Sequence, residues 1–155
     1  MALLEKQRQL FGAHHYYACD PFHENKPPIK GDKYLQNVGK AISEMYTAFD
    51  SQAVWVMQAW SLREPIVKAV DKDKLLILDI DGSKCEKTDG FWGYNFISGT
   101  LNNFGDRNTL HGSIDALAEN KFMEEREKYP NIVGTGLFME GIFQNPLYFD
   151  LASDM

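Results

Sequence analysis

Two glutamates lie near opposite ends of this chain, each on the exit side of a strand-like run. Glu24 closes Tyr17-Ala18-Cys19-Asp20-Pro21-Phe22-His23-Glu24, and Glu140 sits inside Gly134-Thr135-Gly136-Leu137-Phe138-Met139-Glu140-Gly141-Ile142-Phe143-Gln144-Asn145. A pair of carboxyl groups facing each other across a pocket is the minimum equipment for cutting a glycosidic bond. A Glu after a strand is otherwise a solvated loop residue or a helix-dipole partner. Position favours chemistry: both follow strands that read as one parallel sheet, on the carboxyl edge where barrel enzymes build their sites. Gly136 and Gly141 flank Glu140 and let backbone approach closely on both sides. That folding brings Glu24 and Glu140 together is an expectation about the fold.

Other residues could do other chemistry. Leu76-Ile77-Leu78-Asp79-Ile80-Asp81-Gly82-Ser83 resembles the first motif of haloacid-dehalogenase-type phosphatases, where a strand-end Asp attacks phosphorus and a second Asp acts as acid/base. Such enzymes also need a later acidic pair at a strand end to hold magnesium, and no such strand follows Ser83; Asp and Gly after an apolar strand are also ordinary loop chemistry. His14, His15, Asp20, His23 and Glu24 could be drawn as a metal cluster, but adjacent strand residues point to opposite faces. The plainer expectation is one buried, hydrogen-bonded His and one on the other face. Trp60, after Gln58-Ala59, is either a core indole or a platform under a sugar ring. The polar stretch from Asn102 and Asn103 to Asn108 reads as a loop that caps the next helix, or as amide donors for sugar hydroxyls.

The bulk composition bounds the choice. With 155 residues, 44% hydrophobic and 25% charged, the chain can form one domain with a real core. Aromatic content is 13%, from three Trp, seven Tyr and ten Phe; flat rings suit sugars, yet most of them must be core. A formal charge of −6 argues against a nucleic-acid partner, which needs a basic stripe. No apolar run approaches the roughly 18–20 residues that span a bilayer. Cys19 and Cys85 lack metal-type spacing, and the compartment stays unknown.

The elements that must hold these residues alternate between strand and helix. Residues 1–10 read as the last turns of a helix closed by Phe11-Gly12, and Ala13 to Ala18 is strand-like, followed by a loop marked by Pro21 and Pro27-Pro28. Helical spacing runs from Tyr34 to Phe49, with Asp32 expected at its N-cap. Ala53 to Trp60 and Leu75 to Asp81 are apolar runs expected of strands buried on both faces, with a short helix through Val70 between them. Tyr94 to Leu101 is a fourth strand, Leu110 to Tyr129 a helix stopped by Pro130, and Asn131 to Leu137 a fifth strand. Asn145-Pro146 opens a last helix. About five βα units with two-faced strands predict an α/β fold with a parallel sheet, short of the eight units and about 250 residues of a closed barrel.

Six of these segments, in order, resemble the catalytic barrel of α-N-acetylglucosaminidases, glycoside hydrolase family 89. They are Leu10-Phe11-Gly12 with Asp20-Pro21-Phe22-His23-Glu24; Ala53-Val54-Trp55-Val56-Met57-Gln58-Ala59-Trp60; Leu75-Leu76-Ile77-Leu78-Asp79; Asn103-Phe104-Gly105; Val133-Gly134-Thr135-Gly136; and Glu140-Gly141-Ile142-Phe143-Gln144-Asn145-Pro146. The resemblance implies a partial, TIM-like (β/α) barrel in which residues 1–155 are the later, C-terminal portion of a longer catalytic domain. It makes Asp79 a strand-end residue of the barrel. It implies release of terminal α-linked N-acetylglucosamine from glycans with no metal or organic cofactor, Glu24 as general acid/base, Glu140 as nucleophile, and Trp60, Asn103 and His23 as sugar contacts.

The family's Gln-Gly-Trp is Gln58-Ala59-Trp60 here, its common Trp-Cys-Met-Leu-His-Asn-Phe-Gly-Gly is Ser98 to Asp106, and its usual Pro before the nucleophile is Met139. The expected partners are a glycan ending in α-N-acetylglucosamine and the remaining barrel strands and flanking domains. Family members are typically lysosomal, secreted or periplasmic. The alternatives are a non-catalytic barrel remnant, with weak sugar binding or an interaction role and a sticky open edge, and the phosphatase using Asp79 and Asp81.

Overall fold

Apolar runs bounded by Pro, Gly and Asn become parallel strands, and the periodic stretches between them become helices. The computed structural model describes residues 1–105, 114–119 and 121–154. The chain divides into two compact units, Met1–Leu76 and Ile77–Met155.

In the first unit, α1 (Ala2–Phe11) ends at Gly12, whose φ of 85° is open to glycine at little cost. Strand β1 (Tyr16–Ala18) pairs in parallel with β2 (Val54–Gln58), Tyr17 opposite Trp55. Between them runs α2 (Asp32–Phe49), and α3 (Glu64–Val67) follows β2. The cap of α2 lies one residue earlier than expected: Gly31 is the N-cap, at φ 105°, and Asp32 is the first helical residue. Its carboxylate therefore serves the positive end of the helix as a first-turn charge.

Tyr46 of α2 stacks on Tyr17 at 5.2 Å and gives its hydroxyl hydrogen to the Ala18 carbonyl, at 3.3 Å. Burial pushes the Tyr46 phenol up to about 12. Gly39 brings α2 against the main chain of α3 so closely that a Cβ there would lie 2.5 Å from the Ile66 carbonyl oxygen.

Strand β2 does not bury both faces. It ends at Gln58, residues Ala59–Ser61 form a tight turn, and burial alternates along it, with Trp55 and Met57 in the core and Val54, Val56 and Gln58 half-buried. The helix-covered face is dry and the other only half covered. In a closed barrel that second face is filled by layers of interior side chains, which is why the sequence carries an apolar run.

In the second unit, residues 77–79 of β3 (Leu75–Asp79), β4 (Phe96–Asn103) and β5 (Ile132–Met139) pair in parallel in that order. Both β4 and β5 run two residues further than expected, so Asn102 and Asn103 belong to a strand and not to a loop. Of the helix expected from Leu110 to Tyr129, residues 110–113 and 120 lie outside the described residues. The described part forms α4 (Ile114–Ala118) and a separate α5 (Lys121–Lys128). Helix α6 (Pro146–Asp154) starts where Asn145-Pro146 predicts, the Asn145 Oδ1 accepting the Leu147 N–H at 3.1 Å. Its buried Tyr148 hydroxyl bonds Thr100 on β4. Gly99 and Gly136 face each other across β4 and β5, and the Phe138 ring occupies the space that Cβ atoms at either would need.

Neither His14 nor His15 is buried, and both precede β1. His15 Nδ1 lies 2.8 Å from Asp50 Oδ2 just past α2, and the Tyr17 hydroxyl lies 3.1 Å from the same oxygen. The Gln52 N–H bonds Asp50 Oδ1 at 2.9 Å. The His15 hydrogen bond, then that of Gln52, holds the Asp50 carboxyl below the ordinary carboxylate range. A carboxyl depressed on folding adds stability that is complete above its unfolded value and is lost as pH falls through the folded one. Urea midpoints at neutral pH and near pH 3 should therefore fall further for the wild type than for Asp50→Asn. An equal acid loss in both would show that this latch contributes nothing.

Candidate active site

In the first unit, the chain leaves β1 through Cys19 and Asp20. The Asp20 Oδ1 accepts the Gln58 N–H at 2.7 Å, and the Trp55 Nε1–H donates to the Cys19 carbonyl at 2.7 Å, so the strand exit is fixed to β2. Burial, then the charge of Asp20, pushes the Cys19 thiol up, which makes it a poor nucleophile.

The next turn carries Glu24, exposed, with φ 53°, and Phe22 two residues before it has φ 60°. Both are left-handed conformations that L-residues avoid. The turn is nonetheless well tied. The Asn25 N–H bonds the Phe22 carbonyl at 3.1 Å, and Asn25 Nδ2 donates to the His23 carbonyl at 2.9 Å. His23 Nδ1 is 2.8 Å from the Ser61 hydroxyl. The Arg63 guanidinium reaches the Asn25 carbonyl at 2.9 Å and the Phe22 carbonyl at 3.4 Å, and stands 5.9 Å from the centre of the Phe22 ring. Trp60, half-buried, lies in the turn that also supplies Ser61.

In the second unit, Glu140 follows β5 directly. Its N–H extends the strand ladder to the Asn103 carbonyl at 2.9 Å, and its Oε2 accepts the Gly105 N–H at 2.8 Å. Gly105 has φ 61°, and that backbone conformation aims its amide at the carboxylate. Asn103 is 1% exposed and donates from Nδ2 to the Phe143 carbonyl at 2.7 Å. Asn102 donates to Gln144 Oε1 at 3.1 Å, and Gln144 bonds back to the Gly141 carbonyl. The turn after Glu140 is thus pinned by two side chains from the end of β4. The structure groups Asn103 with Glu140, and His23 and Trp60 with the Glu24 turn.

Asp79 has a different task. It is 1% exposed, and its carboxylate accepts the Lys84 N–H at 3.3 Å and the Cys85 N–H at 3.0 Å, while Asp81 accepts the Ser83 N–H at 3.1 Å. These two acids hold the loop after β3, and a carboxylate so enclosed is not presented to a phosphoryl group. Among the described residues, no three or more of His, Cys, Asp and Glu are grouped to hold a metal ion, and no helix is long and apolar enough to cross a membrane.

Sequence reasoning missed Ser61, Arg63 and the Gly105 amide. Ser-Leu-Arg-Glu reads simply as the start of a short helix, and a backbone N–H has no residue signature; only the Gly at position 105 hinted at it.

The chain is 33% identical to human α-N-acetylglucosaminidase over 161 residues, covering 94% of this chain and 21% of that protein. It thus spans about a fifth of the curated relative. A family 89 glycoside hydrolase from Clostridium perfringens in complex with PUGNAc superposes with a TM-score of 0.84 at 28% identity, over 97% of this chain and 17% of that one. A variant of the Clostridium perfringens enzyme with two glutamate-to-glutamine substitutions, in complex with its substrate GlcNAc-α-1,4-galactose, gives a TM-score of 0.83 at 25% identity over the same shares. Residues 1–155 match the α-N-acetylglucosaminidase TIM-barrel domain model from end to end. With its parallel strands alternating with helices, the chain is part of a (β/α) barrel and belongs to the α-N-acetylglucosaminidase family of glycoside hydrolases.

Proposed function

We propose that this chain carries the two catalytic carboxyls of a retaining glycosidase that releases terminal α-linked N-acetylglucosamine from glycans. The observation that carries the reading is the placement of both glutamates. Each is exposed at the carboxyl end of a parallel strand and set by backbone bonds, Glu140 by Asn103 and Gly105 and the Glu24 turn by Phe22 and Asn25. The Clostridium perfringens variant that holds its substrate has two glutamates replaced by glutamine. The interval between those two positions differs by only two residues from that between Glu24 and Glu140.

Glu24 donates a proton to the leaving oxygen while ionised Glu140 attacks the anomeric carbon; Glu24 then takes a proton from the water that frees the sugar. The Gly105 amide, bonded to one oxygen of Glu140, orients the other for attack. Trp60 forms a wall for the sugar, His23 meets it with the ring nitrogen not spent on Ser61, and Asn103 bears on it through the turn it holds. Double displacement returns the starting configuration, so proton NMR of fresh hydrolysate should show the α-anomer first, with β appearing only by mutarotation. Initial β-anomer would exclude the covalent mechanism.

A further inference from the structure

We infer that Arg63 is a positioning residue for Glu24: its guanidinium, bound to the Phe22 and Asn25 carbonyls on either side, holds the left-handed turn that aims the acid/base carboxyl. The inference rests on the reading of Glu24 as acid/base. Two non-glycine residues with positive φ in one three-residue span, Phe22 and Glu24, cost of order 1–3 kcal/mol each and persist only where surroundings over-determine them. The Asn25 bonds close the turn on itself, and it is tied from outside by the Ser61 hydroxyl on His23, by the Tyr34 ring 6.2 Å from that of Phe22, and by the Arg63 guanidinium.

Arg63 is itself well anchored. It is the N-cap of α3, its carbonyl accepting the Ile66 and Val67 N–H groups at 2.9 and 3.2 Å, and both those side chains are fully buried. Its Nε–H is buried without a hydrogen-bond acceptor among the described residues, an arrangement that costs free energy. One guanidinium nitrogen, Nη2, reaches both carbonyls, and the planar head that carries it stands 5.9 Å from the centre of the Phe22 ring, a pose that an ammonium on a flexible stem holds less firmly.

Losing the guanidinium lets the turn relax and moves Glu24 away from the leaving oxygen. In the glycosylation step the Glu24 proton passes to the departing oxygen as the C1–O bond breaks and Glu140 forms the new bond to C1. A dinitrophenolate departs without that proton, while a sugar alkoxide does not. The test compares kcat/KM, which covers binding and this step and excludes hydrolysis of the intermediate, for a dinitrophenyl α-N-acetylglucosaminide and for GlcNAc-α-1,4-galactose, in the full-length protein.

Arg63→Met should lose about 100-fold on the disaccharide and stay within about threefold on the aryl glycoside, with added guanidinium restoring part of the loss in Arg63→Ala. If Arg63→Met does not fold, Arg63→Lys carries the same comparison with a smaller split. Equal losses on both substrates, or none, overturn the role of Arg63. Glu24→Ala is the control: if it splits the two substrates and the Arg63 variants do not, only the present inference fails. If Glu24→Ala itself shows no split, the acid/base reading fails.

Discussion

Glu140→Gln is expected to remove turnover of a nitrophenyl α-N-acetylglucosaminide by about four to six orders of magnitude, the scale seen when a nucleophile is deleted from a preorganised site. The substitution keeps shape. Glutamine has the same length, the Asn103 carbonyl still receives the residue's N–H, and the amide oxygen can still accept the Gly105 N–H. What disappears is the anionic oxygen that, in the proposed mechanism, bonds to the anomeric carbon. Sugar binding should survive, so an N-acetylglucosamine-type inhibitor should bind the variant within a few-fold of wild type. A full-length variant that kept its rate would remove Glu140 from the mechanism.

The second large effect is on stability. Trp55, 1% exposed in β2, fills the centre of the first unit and donates its indole N–H to the Cys19 carbonyl at 2.7 Å. Trp55→Ala should cost about 3–5 kcal/mol from the cavity alone, and it also strands a carbonyl at the exit of β1. That is a large part of the 5–15 kcal/mol by which domains are stable. Denaturant unfolding should show the loss, with Trp55→Phe losing much less because the ring remains and only the hydrogen bond goes. Similar losses for the two variants would mean that the hydrogen bond, and not the packing, dominates.

How far the sequence discloses this molecule depends on which interactions are local. The parallel strands are legible because apolar runs end in Asp, Gly or Gln at the right spacing, and the start of α6 is legible because Asn145 caps its own helix. Asp32 misleads because Gly31, one residue earlier, can take a φ of 105° and become the cap. Asn102 and Asn103 look like a loop because nothing nearby in sequence could satisfy buried amides. Their partners, Gln144 and the Phe143 carbonyl, lie about forty residues on, past β5. The alternation of burial in β2 is hidden for a related reason: an apolar residue at a half-covered position looks the same as one in the dry core. Glu24 and Glu140 stand out through strand-exit placement and family resemblance, whereas Arg63 works through main-chain carbonyls and leaves no pattern to recognise.

The close approach of α2 to α3 gives inherited variation a route to the chemistry that no inspection of contact with sugar would reveal. A single methyl group at position 39 would press on the Ile66 carbonyl, and Ile66 donates its N–H to the Arg63 carbonyl. With Glu24 as the proposed proton donor, a lineage in which Gly39 drifted to alanine would keep both glutamates and still inherit a misaimed acid, a hypomorphic allele written well away from the reaction it impairs.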